Sequence, residues 1–265
     1  MPATPCWRDA LFDPLIIGTI FGTFLIAGTV KGVIGLGLPT VSLALLTVAT
    51  DLPSAMALLL VPSFITNLWQ AMVGGEGRAI LRRLWPFLLM ATATVWLGAL
   101  ALTRVDLSLL SALLGGLLVA YALISLAGVR LAITLGQEVW VGPLLGIVNG
   151  VLAGMTGSFV VPGVLFLQAI GLSRDQLIQA MGILFTASTL ALAVALQGNN
   201  LLNMELGTMS AVALLPAVIG MALGQRIRQR LSEQLFRRLF FVSLLILGGY
   251  IVANAVAAMA APAVH

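Results

Sequence analysis

Two short stretches combine residue types suited to holding a small ligand. The first reads Lys31-Gly-Val-Ile-Gly-Leu-Gly-Leu-Pro-Thr40 and the second Gly154-Met-Thr-Gly-Ser-Phe-Val-Val-Pro-Gly163. Glycines (Gly32, Gly35 and Gly37; Gly154 and Gly157) precede a proline, Pro39 or Pro162, just inside a new apolar run. Glycine tolerates positive φ, and proline suits the first helical turn, where its missing N–H costs nothing. Each stretch therefore predicts unwound backbone followed by a helix N-terminus. Such an end offers unspent N–H groups and a partial positive charge, which suit an anion. Thr40, Thr156 and Ser158 add hydroxyl donors, and Lys31 adds a cation.

Each of these residues has a plainer role beside the binding one. Glycines in membrane helices let neighbouring helices approach closely. Lys31 either sits within the membrane as a functional charge or snorkels to the headgroups. Further polar residues lie inside apolar segments: Thr66, Asn67 and Gln70, then Asn149, Gln168, Thr186, Ser188 and Thr189. Hydrogen bonding to a neighbouring helix accounts for most of them. Asn67 and Thr186 join the candidate binding set because the third segment of each half described below carries such polar residues in corresponding stretches.

The residue inventory argues against other chemistry. The histidine is His265, at the last position, and Cys6 is the single cysteine, so neither a metal site nor a disulfide is expected. The aspartates Asp9, Asp13, Asp51, Asp106 and Asp175 all fall at segment ends, and no interior histidine accompanies a serine. An intramembrane protease of either kind is therefore not expected, nor any other enzyme, nor any cofactor. Gly32-x-x-Gly35-x-Gly37 lacks the order of a dinucleotide loop and follows a helix.

The elements that must position these residues are membrane helices. Of 265 residues, 60% are apolar and 8% charged, against about 25% charged in soluble domains. That excludes a soluble enzyme, a nucleic-acid binder and a disordered chain. Long continuous apolar runs exclude an alternating β-barrel pattern. The expected class is all-α, a polytopic membrane helical bundle of about ten segments: 14–30, 38–50, 53–73, 84–102, 107–128, 139–154, 159–171, 176–196, 206–224 and 239–258. The first is expected to be retained rather than cleaved as a signal. The second and seventh are too short to cross, and predict half-helices or arms of re-entrant hairpins. The stretch 226–239, with Arg-rich and Leu/Phe-rich faces, predicts a helix lying along the membrane surface.

If the connections alternate sides, Lys31 and ten arginines fall on one side and only Arg8 and Arg104 on the other. The positive-inside rule makes the first side cytoplasmic and puts both termini outside. Trp85 and Trp140 then lie at the cytoplasmic interface.

The two halves resemble each other at an offset of about 121 residues. Gly32-Val-Ile-Gly35 aligns with Gly154-Met-Thr-Gly157, and Pro39 lies near Pro162. Asp51-Leu-Pro-Ser54 aligns with Leu172-Ser-Arg-Asp175, Thr66-Asn67 with Thr186-Ala187, and Gly98 with Gly220. Five segments per half is an odd number, so the repeats, 14–128 and 139–258, are expected to be inverted relative to one another. Inverted repeats with interrupted segments in matching positions mark transporters.

On the stretch Gly32–Thr40, its counterpart 154–163, and the glycines Gly98 and Gly220 before basic loops, the sequence resembles the sulfite exporter TauE/SafE family, also called 4-toluene sulfonate uptake permeases. The resemblance covers about residues 15–255. It implies a secondary membrane transporter for small sulfur-containing oxyanions, sulfite or organosulfonates, with export the expected direction and a bacterial-type inner membrane the expected location. It makes Gly32–Thr40 and Gly154–Gly163 the substrate-lining segments. A passive anion channel on the same scaffold and a non-transporting membrane scaffold are the alternatives. The partners expected are a small anionic substrate, membrane lipid and, from the apolar outer faces, a second copy in a homodimer; no nucleic acid is expected.

Overall fold

Apolar runs in this chain become helices wherever neither glycine nor proline interrupts the backbone. The computed structural model describes residues 14–129, 132–228 and 233–260, and its described regular structure is entirely helical. In chain order the helices are α1 (Pro14–Ile34), α2 (Leu38–Ala49), α3 (Leu52–Leu58), α4 (Leu60–Met72), α5 (Gly77–Ala93), α6 (Val95–Ala99), α7 (Leu107–Leu126), α8 (Leu135–Thr156), α9 (Gly163–Ala169), α10 (Arg174–Gly198), α11 (Met204–Arg228) and α12 (Glu233–Ala260). A 3₁₀ turn, Leu100–Thr103, extends α6. Seven helical stretches are long and apolar enough to cross a bilayer: α1, α5 through Thr103, α7, α8, α10, α11 and α12. The pair α3–α4 reaches that length only across a 46° bend.

Each predicted segment contains a helix, with three differences. Segment 53–73 divides at Leu59 into α3 and α4. Segment 159–171 is helical only over the seven residues of α9, because the chain stays unwound through Pro162. With α2 at twelve residues, neither α2 nor α9 spans a core of about 30 Å. The stretch 226–239 forms no separate surface helix. Arg226–Arg228 continue α11, α12 starts at Glu233, and residues 229–232 lie outside the described residues. The terminal residues Arg8, Cys6 and His265 lie outside them too.

Both anticipated interruptions are present. After α1, Gly35 (φ 85°) and Gly37 (φ 111°) turn the chain through conformations that residues with a side chain rarely adopt. Pro39 then sits in the first turn of α2. After α8, Gly157 turns at φ 74°. The helices that follow each hairpin start on side-chain caps. Asp51 accepts the Ser54 N–H (2.8 Å) at α3, and Ser173 and Gln176 cap α10 reciprocally (3.3 and 3.1 Å). At α7, Asp106 accepts the Ser108 N–H (2.7 Å), and that bond holds its exposed carboxyl below the ordinary carboxylate range.

The bend at Leu59 has a local cause. Pro62 lacks the N–H that would reach the Leu58 carbonyl, so that oxygen loses its helical partner. Ser210 of α11 repairs the fault: its hydroxyl donates to Leu58 O (2.8 Å) and accepts from Val61 N (3.0 Å). Leu58, Pro62 and Ser210 are buried, in a medium without water to substitute. Ser210→Ala should therefore destabilise the bundle by about 1–2 kcal/mol, read as a lowered unfolding temperature in detergent. Ser210→Thr, which keeps the hydroxyl, should lose less.

Four packed pairs build the bundle, and each joins one half of the chain to the other: α1 with α11, α8 with α5–α6, α4 with α10, and α7 with α12. The first two are crossings on glycine. A Cβ on Gly28, Gly32, Gly220 or Gly224 would overlap a backbone carbonyl of the facing helix in the α1–α11 crossing. The same holds for Gly98, Gly150 and Gly154 where α8 meets α5–α6. Large apolar side chains such as Leu15, Leu97, Val139 and Ile246 point outward and are exposed, as lipid contact requires. Trp85 and Trp140 are exposed as well.

Candidate functional site

The α1–α11 crossing fixes what the next residue on α1 does. With Gly28 and Gly32 pressed on α11, Lys31 is turned into the bundle, 4% exposed. It does not snorkel. Its ammonium donates to Thr66 Oγ1 (3.2 Å) and to Asn67 Oδ1, both on α4. Asn67 Nδ2 donates to Ser63 Oγ (3.0 Å), one turn earlier, and Ser63 Oγ lies 3.2 Å from Thr189 Oγ1 of α10. Thr66 donates its own hydrogen back to Pro62 O (2.7 Å), which leaves its oxygen free to accept from Lys31. A chain of buried polar groups thus runs from α1 through α4 to α10.

The charge balance of this chain is its main property. An ammonium has three N–H donors, and two find acceptors here. Both acceptors are neutral. Among the described residues one ion pair exists, Arg83–Glu138, and it does not involve Lys31. Helices α2 and α4 carry no titratable side chain at all. Lys31 therefore sits in a low-dielectric interior with no counter-charge among the described residues.

The anticipated residues divide between this centre and other tasks. Lys31 and Asn67 come together as the centre. Gly35 and Gly37 form the break directly after it: Gly35 N donates to Lys31 O (2.7 Å), Gly35 faces Ile178 of α10, and Gly37 faces Val30 and Phe240. Pro39 and Thr40 are buried in the first turn of α2. Gly32 and Gly154 lie in the crossings, their missing side chains replaced by the backbones of α11 and α6. In the second break, Thr156 Oγ1 donates to Leu152 O (2.7 Å) and accepts from Ser158 N (3.2 Å), so it closes α8 locally. Gly157 seats on Met56 of α3 and Leu43 of α2. Pro162 caps α9 from outside rather than lying inside it. Thr186 is half-buried and bonds its own helix at Gly182 O (2.7 Å). No described hydrogen bond joins Thr156, Ser158 or Thr186 to the Lys31 chain.

Thr66 and Thr189, read from the sequence only as helix-to-helix hydrogen-bonding residues, and Ser63, not singled out there, all lie outside the candidate binding set, although Ser63 lies one turn from Asn67 and on its face. Glu138 also lies outside that set. It is 8% exposed, and Arg83 grips both its oxygens (2.7–3.2 Å) while donating to Ile170 O (2.9 Å), tying α5, α8 and the end of α9 together. A cavity of about 400 Å³ beside this pair is lined by Trp85, Phe87, Gly142 and Phe166. Its two charges satisfy one another. Two clamps act at the other end of α4: Gln70 donates to Ile178 O (2.7 Å), and Gln179 donates to Ala71 O (2.8 Å) while accepting from Glu76 N (3.1 Å).

A bundle of bilayer-length helices, broken by two interior glycine turns, defines a multi-pass membrane protein. The family model described as Sulfite exporter TauE/SafE matches residues 20–251, and the chain belongs to that family. It is a family of transporters rather than of enzymes. No curated protein and no solved structure matches the chain.

Proposed function

We propose that this protein is a secondary transporter that carries a small sulfur oxyanion, sulfite or an organosulfonate, out of the cell through the site around Lys31. The observation that carries the reading is the buried ammonium hydrogen-bonded only to neutral groups. The anion supplies the missing counter-charge, and Thr66 and Asn67 hold the ammonium in place to receive it. On this reading the protein performs no catalysis. It lies in a bacterial inner membrane with both termini outside, as the distribution of Lys and Arg favours.

The two halves act as inverted repeats that rock to expose the site alternately. Their reciprocal packing supports this: the first helix of each half crosses the fourth segment of the other on paired glycines. The α4–α10 and α7–α12 pairs bring like elements together, as a two-fold relation demands.

The reading is tested in liposomes containing the purified protein. Uptake of labelled sulfite should saturate and show counterflow. Methanesulfonate should compete, and dimethyl sulfone, a neutral molecule of nearly the same shape, should not. Equal competition by both would defeat the anion claim, and unsaturable flux without counterflow would identify a channel.

A further inference from the structure

The Lys31 chain does not account for every buried polar group. Asn149 of α8 and Ser188 of α10 are both fully buried, and Asn149 Nδ2 and Ser188 Oγ have no hydrogen-bond partner. The other end of the Asn149 side chain is engaged, since Oδ1 accepts the Gly163 N–H (2.9 Å) and so anchors the start of α9. The amide's donor end is left over. A Cβ on Gly163 would meet Asn149 Oδ1 at 2.6 Å and Leu184 Cδ2 at 3.1 Å, which sets the Asn149 carboxamide close to the Leu184 face of α10. Ser188 is one helical turn from Leu184 on that face. Asn149 therefore lies at the seam where α8, α9 and α10 meet, and Ser188 lies one turn along the α10 face that Leu184 brings to it. The next residue, Thr189, turns toward α4 and ends the Lys31 chain at Ser63. One stretch of α10 thus touches both places.

Unpartnered donors are costly where no water reaches, and alanine at position 188 would avoid the cost there. What the two groups share is donor capacity: two N–H bonds on the amide and one O–H on the serine. They suit a guest rich in acceptor oxygens and lacking donors. We propose that Asn149 and Ser188 form a second, uncharged station for the transported oxyanion, occupied after it leaves Lys31. This rests on the assignment of Lys31 as the charged station. Lacking a cation, the second station holds the anion more weakly. It affects passage rather than resting affinity.

The test uses the full-length protein in liposomes and in detergent, with labelled sulfite as probe. Ser188→Ala removes an unsatisfied hydroxyl, so the unfolding temperature should rise by about 2–4 °C. Sulfite counterflow should nevertheless fall at least tenfold, with the Kd for sulfite within threefold of the parent. Asn149→Asp keeps an acceptor for the Gly163 N–H but places a carboxylate in the anion's path, and its counterflow should fall further. Ser188→Ala protein that is more stable and exchanges sulfite at the parental rate overturns the proposal. So does Ser188→Ala protein that is less stable, because the hydroxyl would then have a structural partner. If Asn149→Asp fails to fold, Ser188→Ala decides alone. Lys31→Met is the reference: parental sulfite binding in that variant refutes the charged site itself, an outcome distinct from a failure of the second station.

Discussion

Lys31→Met should abolish sulfite binding and reduce counterflow by about 100- to 1,000-fold, while the purified protein becomes harder to unfold by heat. The first effect follows from losing a desolvated contact between an ammonium and an oxyanion, worth about 3–4 kcal/mol where water is excluded. The second follows from what surrounds the side chain. A buried charge without a counter-charge costs several kcal/mol, and methionine fills a similar volume without it. The neighbours lose little. Thr66 keeps its bond to Pro62 O and Asn67 keeps its bond to Ser63, so only Asn67 Oδ1 is left without a donor, at about 1–3 kcal/mol. Radiolabelled counterflow in liposomes and thermal unfolding in detergent read the two effects separately. Parental transport by this variant would remove the cation from the mechanism.

Gly154→Ala and Gly220→Ala should leave little folded protein, each destabilising the bundle by about 3 kcal/mol or more. The added methyl meets the backbone of a facing helix rather than a movable side chain: Val95 O on α6 for Gly154, Leu25 O on α1 for Gly220. A carbonyl within a helix cannot rotate aside, so the helices must separate along the crossing. Gly18→Ala, Gly22→Ala and Gly207→Ala provide the contrast. No atom lies within 4 Å of the methyl at these positions, and alanine favours helix, so these variants should match or exceed the parent. Size-exclusion profiles and unfolding temperatures across the five variants check the pattern. It fails if Gly154→Ala is as stable as Gly18→Ala.

Features encoded locally could be read from the sequence. The helical membrane class followed from continuous apolar runs. Both breaks followed from glycine before proline, and Gly35, Gly37 and Gly157 do adopt positive φ. Lys31 stood out as a cation at the edge of a break. Features decided by partners far along the chain could not be read in the same way. Pro62 marks a weak point in the third segment, but Ser210, which repairs it, lies 149 residues beyond Val61. The burial of Glu138 depends on Arg83, and the closing of the polar chain depends on Thr189 reaching Ser63.

Gly32 and Gly154 show a different difficulty. Close helix approach and ligand approach both require a missing side chain, so glycine alone does not separate them. The four-residue spacings Gly28/Gly32, Gly150/Gly154 and Gly220/Gly224 were the available signal for packing. The surface helix expected over 226–239 is not formed among the described residues, because Arg226 and Arg228 end α11 and Arg237 and Arg238 lie in the first turns of α12, where snorkelling serves as well.

The glycine crossings also bear on how the molecule is made. The groove on α1 is complete once residue 34 has emerged from the ribosome, but the helix that fills it begins at Met204. At 5–20 residues per second, translation leaves that groove empty for roughly 10–30 s. During that interval the nascent N-terminal half needs lipid or an insertase against its bare backbone. A chain synthesised as two polypeptides, divided near residue 130, would have to find its complement in the bilayer before either piece became resistant to proteolysis.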